Sequence, residues 1–171
     1  QSSWVEALLN AGEAARALAE HCPEQLWQRR IADFIVLRAQ LSRGEWGDVA
    51  ERLRGIRANA VEEDNPLWAT LVTAGIGVWV RMAEDEAEVG VRECVEVLRA
   101  WPSTTFWMPH AYAICALGNL YLYMEELDEA WALLRSSWRL IRGQVQNLDS
   151  SVRADLYLLR AKVALQMARR V

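Results

Sequence analysis

A chain of 171 residues, 53% apolar and 25% charged, carries enough hydrophobic surface for one packed domain or one contiguous stack of repeats, which excludes a disordered tail. Its net charge of −4 supplies no overall basic footprint of the kind by which proteins hold nucleic acid or an anionic membrane surface. Of the 19 basic residues only Lys162 is a lysine, a bias of GC-rich coding rather than of phosphate recognition.

Ser3-x-x-Glu6 has capping-box spacing and opens a helix to about Glu20, with a break near Gly12. The next helical segment runs from Pro23 to about Gly44. Asn65-Pro66 pairs an N-cap with a proline at the first helical position, and Arg99 with Pro102 marks a stop. Pro109 opens another helix, Arg142 and Gly143 close its partner, and Asp149 or Ser150 starts a last one. Strand alternation and hairpin dipeptides are missing from the sequence, and the longest loops fall at 59–65 and 101–108. The apolar run from Trp68 to Val80 is too short for a membrane span. Cys22, Cys94 and Cys115 have neither disulfide-framework nor zinc spacing, which fits a reducing cytoplasm. Beginning at Gln1 rather than Met, the chain reads as a piece of a longer protein.

Self-comparison gives a period. Pro23, Pro66 and Pro109 stand 43 residues apart, as do Gly75 and Gly118, and Ala87 and Ala130. Small residues recur at Ala39, Gly75, Gly118 and Ala161, where helices are expected to approach closely. The expected fold is therefore all-α, a single domain of stacked antiparallel helix hairpins with units at about 1–22, 23–61, 66–101 and 109–146 and a terminal helix at 150–170. That last helix is expected to act as a polar cap through Arg160, Lys162, Gln166, Arg169 and Arg170.

Ile114, Leu117, Gly118, Tyr121, Leu127, Ala130 and Leu134 resemble the tetratricopeptide repeat, with its LG-x-x-Y first helix and its alanine in the second. The match departs at Arg38 and Arg160, where that pattern has leucine, and the period exceeds the usual ~34 residues. The resemblance implies a tetratricopeptide-like α-solenoid. A second resemblance runs through Glu63-Asp64, Trp101, Phe106, His110-Ala111-Tyr112-Ala113, Tyr121-Leu122-Tyr123, Ala130-Trp131, Trp138, Arg142 and Leu159-Arg160-Ala161. It is to the C-terminal helical region of bacterial eukaryotic-like serine/threonine protein kinases. This implies a regulatory or partner-binding arm beside an N-terminal kinase domain; the Gly-rich loop, HRD and DFG motifs do not occur in these residues. Similar repeats occur in bacterial signal-transduction ATPases and transcription activators, whose helical segments respond to small inducers.

No catalytic set assembles from the sequence. His21 reads as a helix-end residue and His110 as a helix-start hydrogen-bonding partner rather than a base. The acidic clusters Glu62-Glu63-Asp64, Glu84-Asp85-Glu86 and Glu125-Glu126 read as solvated turns, without the ligand order of a calcium loop. Gly75-x-Gly77 lies inside an apolar helix, not after a strand, and so is no nucleotide loop. Neither a metal nor a cofactor is expected. Most of the nine tryptophans, Trp131 and Trp138 among them, are expected to pack between hairpins; Trp101 and Trp107 either cover the core or form an exposed patch.

Tetratricopeptide geometry implies a concave stripe on the first helix of each hairpin. It would carry Asp33, Val36 and Gln40, then Ala69, Val72, Ile76 and Val80, then Tyr112, Cys115, Asn119 and Tyr123, then Asp155, Leu158 and Lys162. Gly118-Asn119-Leu120-Tyr121 resembles the segment in which the family uses asparagine to hold a ligand backbone, while Cys115 stands where carboxylate-gripping versions have lysine. Gln40, Tyr112, Asn119, Tyr123 and Lys162 are the expected contacts to a protein or peptide segment, such as an attached kinase domain. Asn119 and Tyr123 are placed to bond the ligand and give it a flat apolar surface.

Overall fold

The computed structural model describes residues 2–62, 65–102 and 106–170, and of residues 2 and 57–62 the backbone alone. Every regular element among them is helical. The chain divides into two compact units, 1–68 and 69–171.

The first unit holds α1 (Ser2–His21), α2 (Leu26–Arg43) and α3 (Trp46–Glu62). Ser3 already lies inside α1, and Gly12 does not interrupt it, because one glycine costs a long helix only about 1 kcal/mol. α1 packs on α2, and α2 on α3. Leu37, Ala39, Val49 and Leu53 are buried, drawn from the facing sides of α2 and α3. Arg52 of α3 reaches α2 twice, donating from Nη1 to Gln40 Oε1 at 2.8 Å and pairing through Nη2 with Asp33 at 3.5 Å.

α4 (Pro66–Thr70), a π-helical stretch (Leu71–Gly77) and α5 (Val78–Ala83) follow without a break. Asn65 caps the start, its Oδ1 accepting the Trp68 N–H at 3.0 Å, with Pro66 at the first helical position. The combined helix is 18 residues long with a mean hydropathy of 1.2, enough by length and composition to cross a membrane, which corrects the shorter run expected from Trp68 to Val80. It is 56% buried within the molecule, as core helices are.

In the second unit α6 (Ala87–Arg99) packs on α5, α8 (Leu127–Gln144) on α7 (Met108–Tyr123), and α9 (Ser150–Arg169) on both α7 and α8. Antiparallel hairpins are thus the working element. Asp149 caps α9 by accepting the Ser151 N–H at 2.8 Å. One apolar cluster joins Ala113, Ala116, Leu117 and Leu120 of α7 to Val78, Ala87 and Cys94. A second joins the other side of α7, at Ala111 and Ile114, to Leu134 and Ile141 of α8 and to Val152, Leu156, Leu159 and Val163 of α9. The four α9 residues recur at helical spacing and form its single inner stripe. Fully burying a leucine such as Leu156 contributes about 1.5–3 kcal/mol.

At Gly118 α7 packs closely against Leu159 of α9. A Cβ there would lie 2.5 Å from Leu159 Cδ2, so the small residue of the LG-x-x-Y segment makes room for the following helix. Ala161 does not repeat that role. It is exposed, because it lies on the side of α9 opposite the inner stripe, along with Leu158 and Leu165. The outer face of α9 thus carries the expected polar residues Arg160, Lys162, Gln166, Arg169 and Arg170, all exposed, with Leu158 and Leu165 among them.

One local feature recurs three times, each time with a glutamate after the turning residue. After α2, α5 and α7 the chain turns through a left-handed residue: Gly44 at φ +84°, Asp85 at +59° and Glu125 at +62°. In each case the next residue's N–H returns to a carbonyl five residues earlier: Glu45 to Gln40 at 3.1 Å, Glu86 to Arg81 at 2.8 Å, Glu126 to Tyr121 at 2.8 Å. These are Schellman turns, satisfying end carbonyls while reversing the chain into the second helix of a hairpin. Arg81 reinforces the middle one. It bonds Glu93 across to α6 at 2.6 Å and pairs with Glu86.

Candidate interaction site

The expected contacts are distributed over both units, and most already have partners of their own. Gln40 belongs to the first unit and accepts from Arg52. Its neighbour Asp33 has its carboxyl raised above the usual range by burial, against the lowering effect of Arg52 and Arg29. Tyr112, Asn119 and Tyr123 share one face of α7 at spacings of seven and four. Asn119 is half-buried and turns its amide back on its own helix, donating from Nδ2 to Cys115 O at 2.7 Å. That bond occupies a donor that would have held a ligand backbone. Tyr123 is 46% exposed and donates its phenol proton to Asp85 Oδ1 at 2.9 Å, which raises its pKa. Lys162 is exposed on α9. Val72, Ile76 and Val80, the stripe expected on the helix from Pro66 to Ala83, are buried.

The turns gather the acidic residues. Asp85, Glu86, Glu88, Glu125 and Glu126 line a recess of about 660 Å3 with Tyr123. Glu63 and Asp64 lie outside the described residues. Among the described residues no three histidines, cysteines or carboxylates converge as a metal site would require. His110 does serve at a helix start: its Nδ1 accepts the Trp107 N–H at 3.2 Å, and its ring stacks on Phe106. Burial is the main force lowering its pKa, opposed by backbone hydrogen bonding at Pro102.

The tryptophans depart furthest from expectation. Trp68 is buried, but Trp4, Trp27, Trp46, Trp107 and Trp131 are exposed. The aromatic loop divides: Trp101 donates its Nε1 proton to the fully buried Thr70 at 2.9 Å, whereas Trp107 is 57% exposed. Trp131 and Trp138, expected to pack between hairpins, lie on the flank of α8 that faces α9. There Trp131, Arg135, Trp138 and Arg142 recur every three or four residues and line a cleft of about 370 Å3 with Arg139 and Arg160. Trp131 is 37% exposed. Trp138 is half-buried against the α7–α8–α9 core, in edge contact with Tyr157 at 5.7 Å, and the Arg160 guanidinium lies 4.0 Å over its ring.

No side chain lining this cleft is acidic. Among the described residues Arg135, Arg139 and Arg142 form no ion pair, while Arg43, Arg52, Arg81, Arg99 and Arg170 all do. The sequence carried a trace of this. Arg160, which stands where the tetratricopeptide pattern has leucine, packs on Trp138 at the cleft.

Comparison with family models, with curated proteins and with solved structures gives no match to this chain.

Proposed function

We propose that this chain is a non-catalytic protein-interaction module, its hairpins stacked as a tetratricopeptide-like α-solenoid, and that it binds its partner in the α8–α9 cleft. The observation that carries the reading is the cleft's composition. Two partly exposed tryptophans alternate with arginines on one helix flank, and tryptophan and arginine are the residues on which interface energy concentrates. A volume of about 370 Å3 suits one or two inserted side chains rather than a large cofactor. The α7 stripe is the weaker site, since Asn119 and Tyr123 are engaged within the protein. As the protein to which the module is attached we propose a serine/threonine protein kinase, on the sequence resemblance alone.

The test is a random-peptide display selection on the immobilised chain, followed by hydrogen exchange with a selected peptide bound. The reading requires peptides that share a pattern, slowed exchange in α8 and α9, and weakening by about 30-fold on Trp131→Ala, the loss typical of a hot-spot residue. Selection without enrichment, or protection confined to other helices, would overturn it. ATP hydrolysis by the chain would count against a non-catalytic role.

A further inference from the structure

We infer that the partner of the α8–α9 cleft is an acidic polypeptide segment in which carboxylates alternate with apolar side chains, an inference that rests on the interaction-module reading above. Four arginines converge on one cleft in a chain whose net charge is −4, with no acidic lining residue to balance them. Like charges held together repel, and a carboxylate partner relieves that repulsion while gaining charge-assisted hydrogen bonds. Arg160 is prepared for the role. Its guanidinium lies 4.0 Å over the Trp138 ring, a contact that holds the charge at the cleft while its N–H groups can still bond a carboxylate.

Spacing favours a chain of carboxylates over a single anion. Arg135, Arg139 and Arg142 rise along α8 by about 6 and 4.5 Å. Same-side residues of an extended peptide repeat every ~6.8 Å, close to the first step, and the long flexible arginine side chains span the difference at the second, so alternate acidic residues can reach successive arginines. The intervening side chains then turn toward Trp131 and Trp138. A nucleic acid offers comparable charge spacing, but its charge density is opposed by the acidic remainder of the chain.

Fluorescence anisotropy on the whole chain tests this with three labelled probes: a peptide alternating glutamate with leucine, its lysine–leucine counterpart, and a single-stranded oligothymidylate. The glutamate–leucine peptide should bind, the lysine–leucine peptide should not, and added salt should weaken binding. Charge reversal at the exposed pair, Arg135→Glu with Arg142→Glu, should lower affinity at least about tenfold per arginine while circular dichroism stays unchanged. Equal binding of the two peptides, binding indifferent to the reversal, or tighter binding of oligothymidylate each overturns the inference. So does self-association of the chain that the reversal dissolves, which would make a second copy the occupant. If display selection instead yields neutral peptides that protect α8 and α9, the acidic partner fails and the interaction module stands.

Discussion

Gly118→Ala probes how closely α7 and α9 are fitted. The added methyl would stand 2.5 Å from Leu159 Cδ2 and 3.0 Å from its Cδ1, against the 3.5–4.0 Å at which carbon atoms rest. Leu159 is 1% exposed, so its methyls have no open space to enter and the helices themselves must separate. Overpacking of this kind costs about 1–3 kcal/mol, while replacing a helical glycine with alanine returns about 1 kcal/mol. Gly143→Ala isolates the difference. That residue lies on α8, in the same unit, with nothing within 4 Å of its would-be Cβ, so only the helix-forming gain remains. Urea unfolding followed by far-ultraviolet circular dichroism should place Gly118→Ala about 1–3 kcal/mol below Gly143→Ala. Adding Leu159→Ala should then show favourable coupling, because each change makes room for the other. Equal stability of the two alanine variants would refute the close approach.

Three further outcomes follow from local chemistry. Glu125→Gly should raise stability by about 1 kcal/mol, since a left-handed conformation strains any residue with a Cβ; a loss in urea midpoint would mean the turn is not left-handed. Arg81→Met should cost about 1.5–3 kcal/mol through the lost charged hydrogen bonds to Glu93, and an unchanged midpoint would show the bridge between α5 and α6 to be idle. Burial lowers the His110 pKa, so the unfolded chain takes up the proton first as pH falls through about 6.5, and stability should decline from there until the folded value is passed. His110→Gln should flatten that part of the profile, and a wild-type profile already flat as pH falls through and below about 6.5 would contradict the burial.

Helix starts were legible where a short-range signal writes them. Asn65-Pro66 and Asp149 cap their helices through hydrogen bonds two or three residues long, so neighbours in sequence suffice to specify them. The same holds for His110, whose bond reaches only to Trp107. The acidic clusters at Asp85 and Glu125 marked turns, but not their left-handed conformation. Glycine fills the equivalent position only at Gly44, and the bonds that force the other two residues to positive φ come from the chain reversal itself. Site residues were harder still. Residue type and spacing put Asn119 on a useful face, but its bond to Cys115 depends on a rotamer choice that composition cannot reveal. Trp131 and Trp138 follow the spacing of a core stripe. Only the position of α9, which sets Arg160 over Trp138, turns that flank into a cleft.

The central claim, that a partner enters between α8 and α9, is tested most directly by the indole N–H signals of the tryptophans in a 1H–15N spectrum. Titrating the glutamate–leucine peptide, or a peptide selected by display, should shift the signals of Trp131 and Trp138. Trp101, whose indole proton is held by Thr70, should stay in place. Shifts confined to the exposed Trp107, with Trp131 and Trp138 unmoved by a peptide that binds, would put the interaction elsewhere and contradict the account.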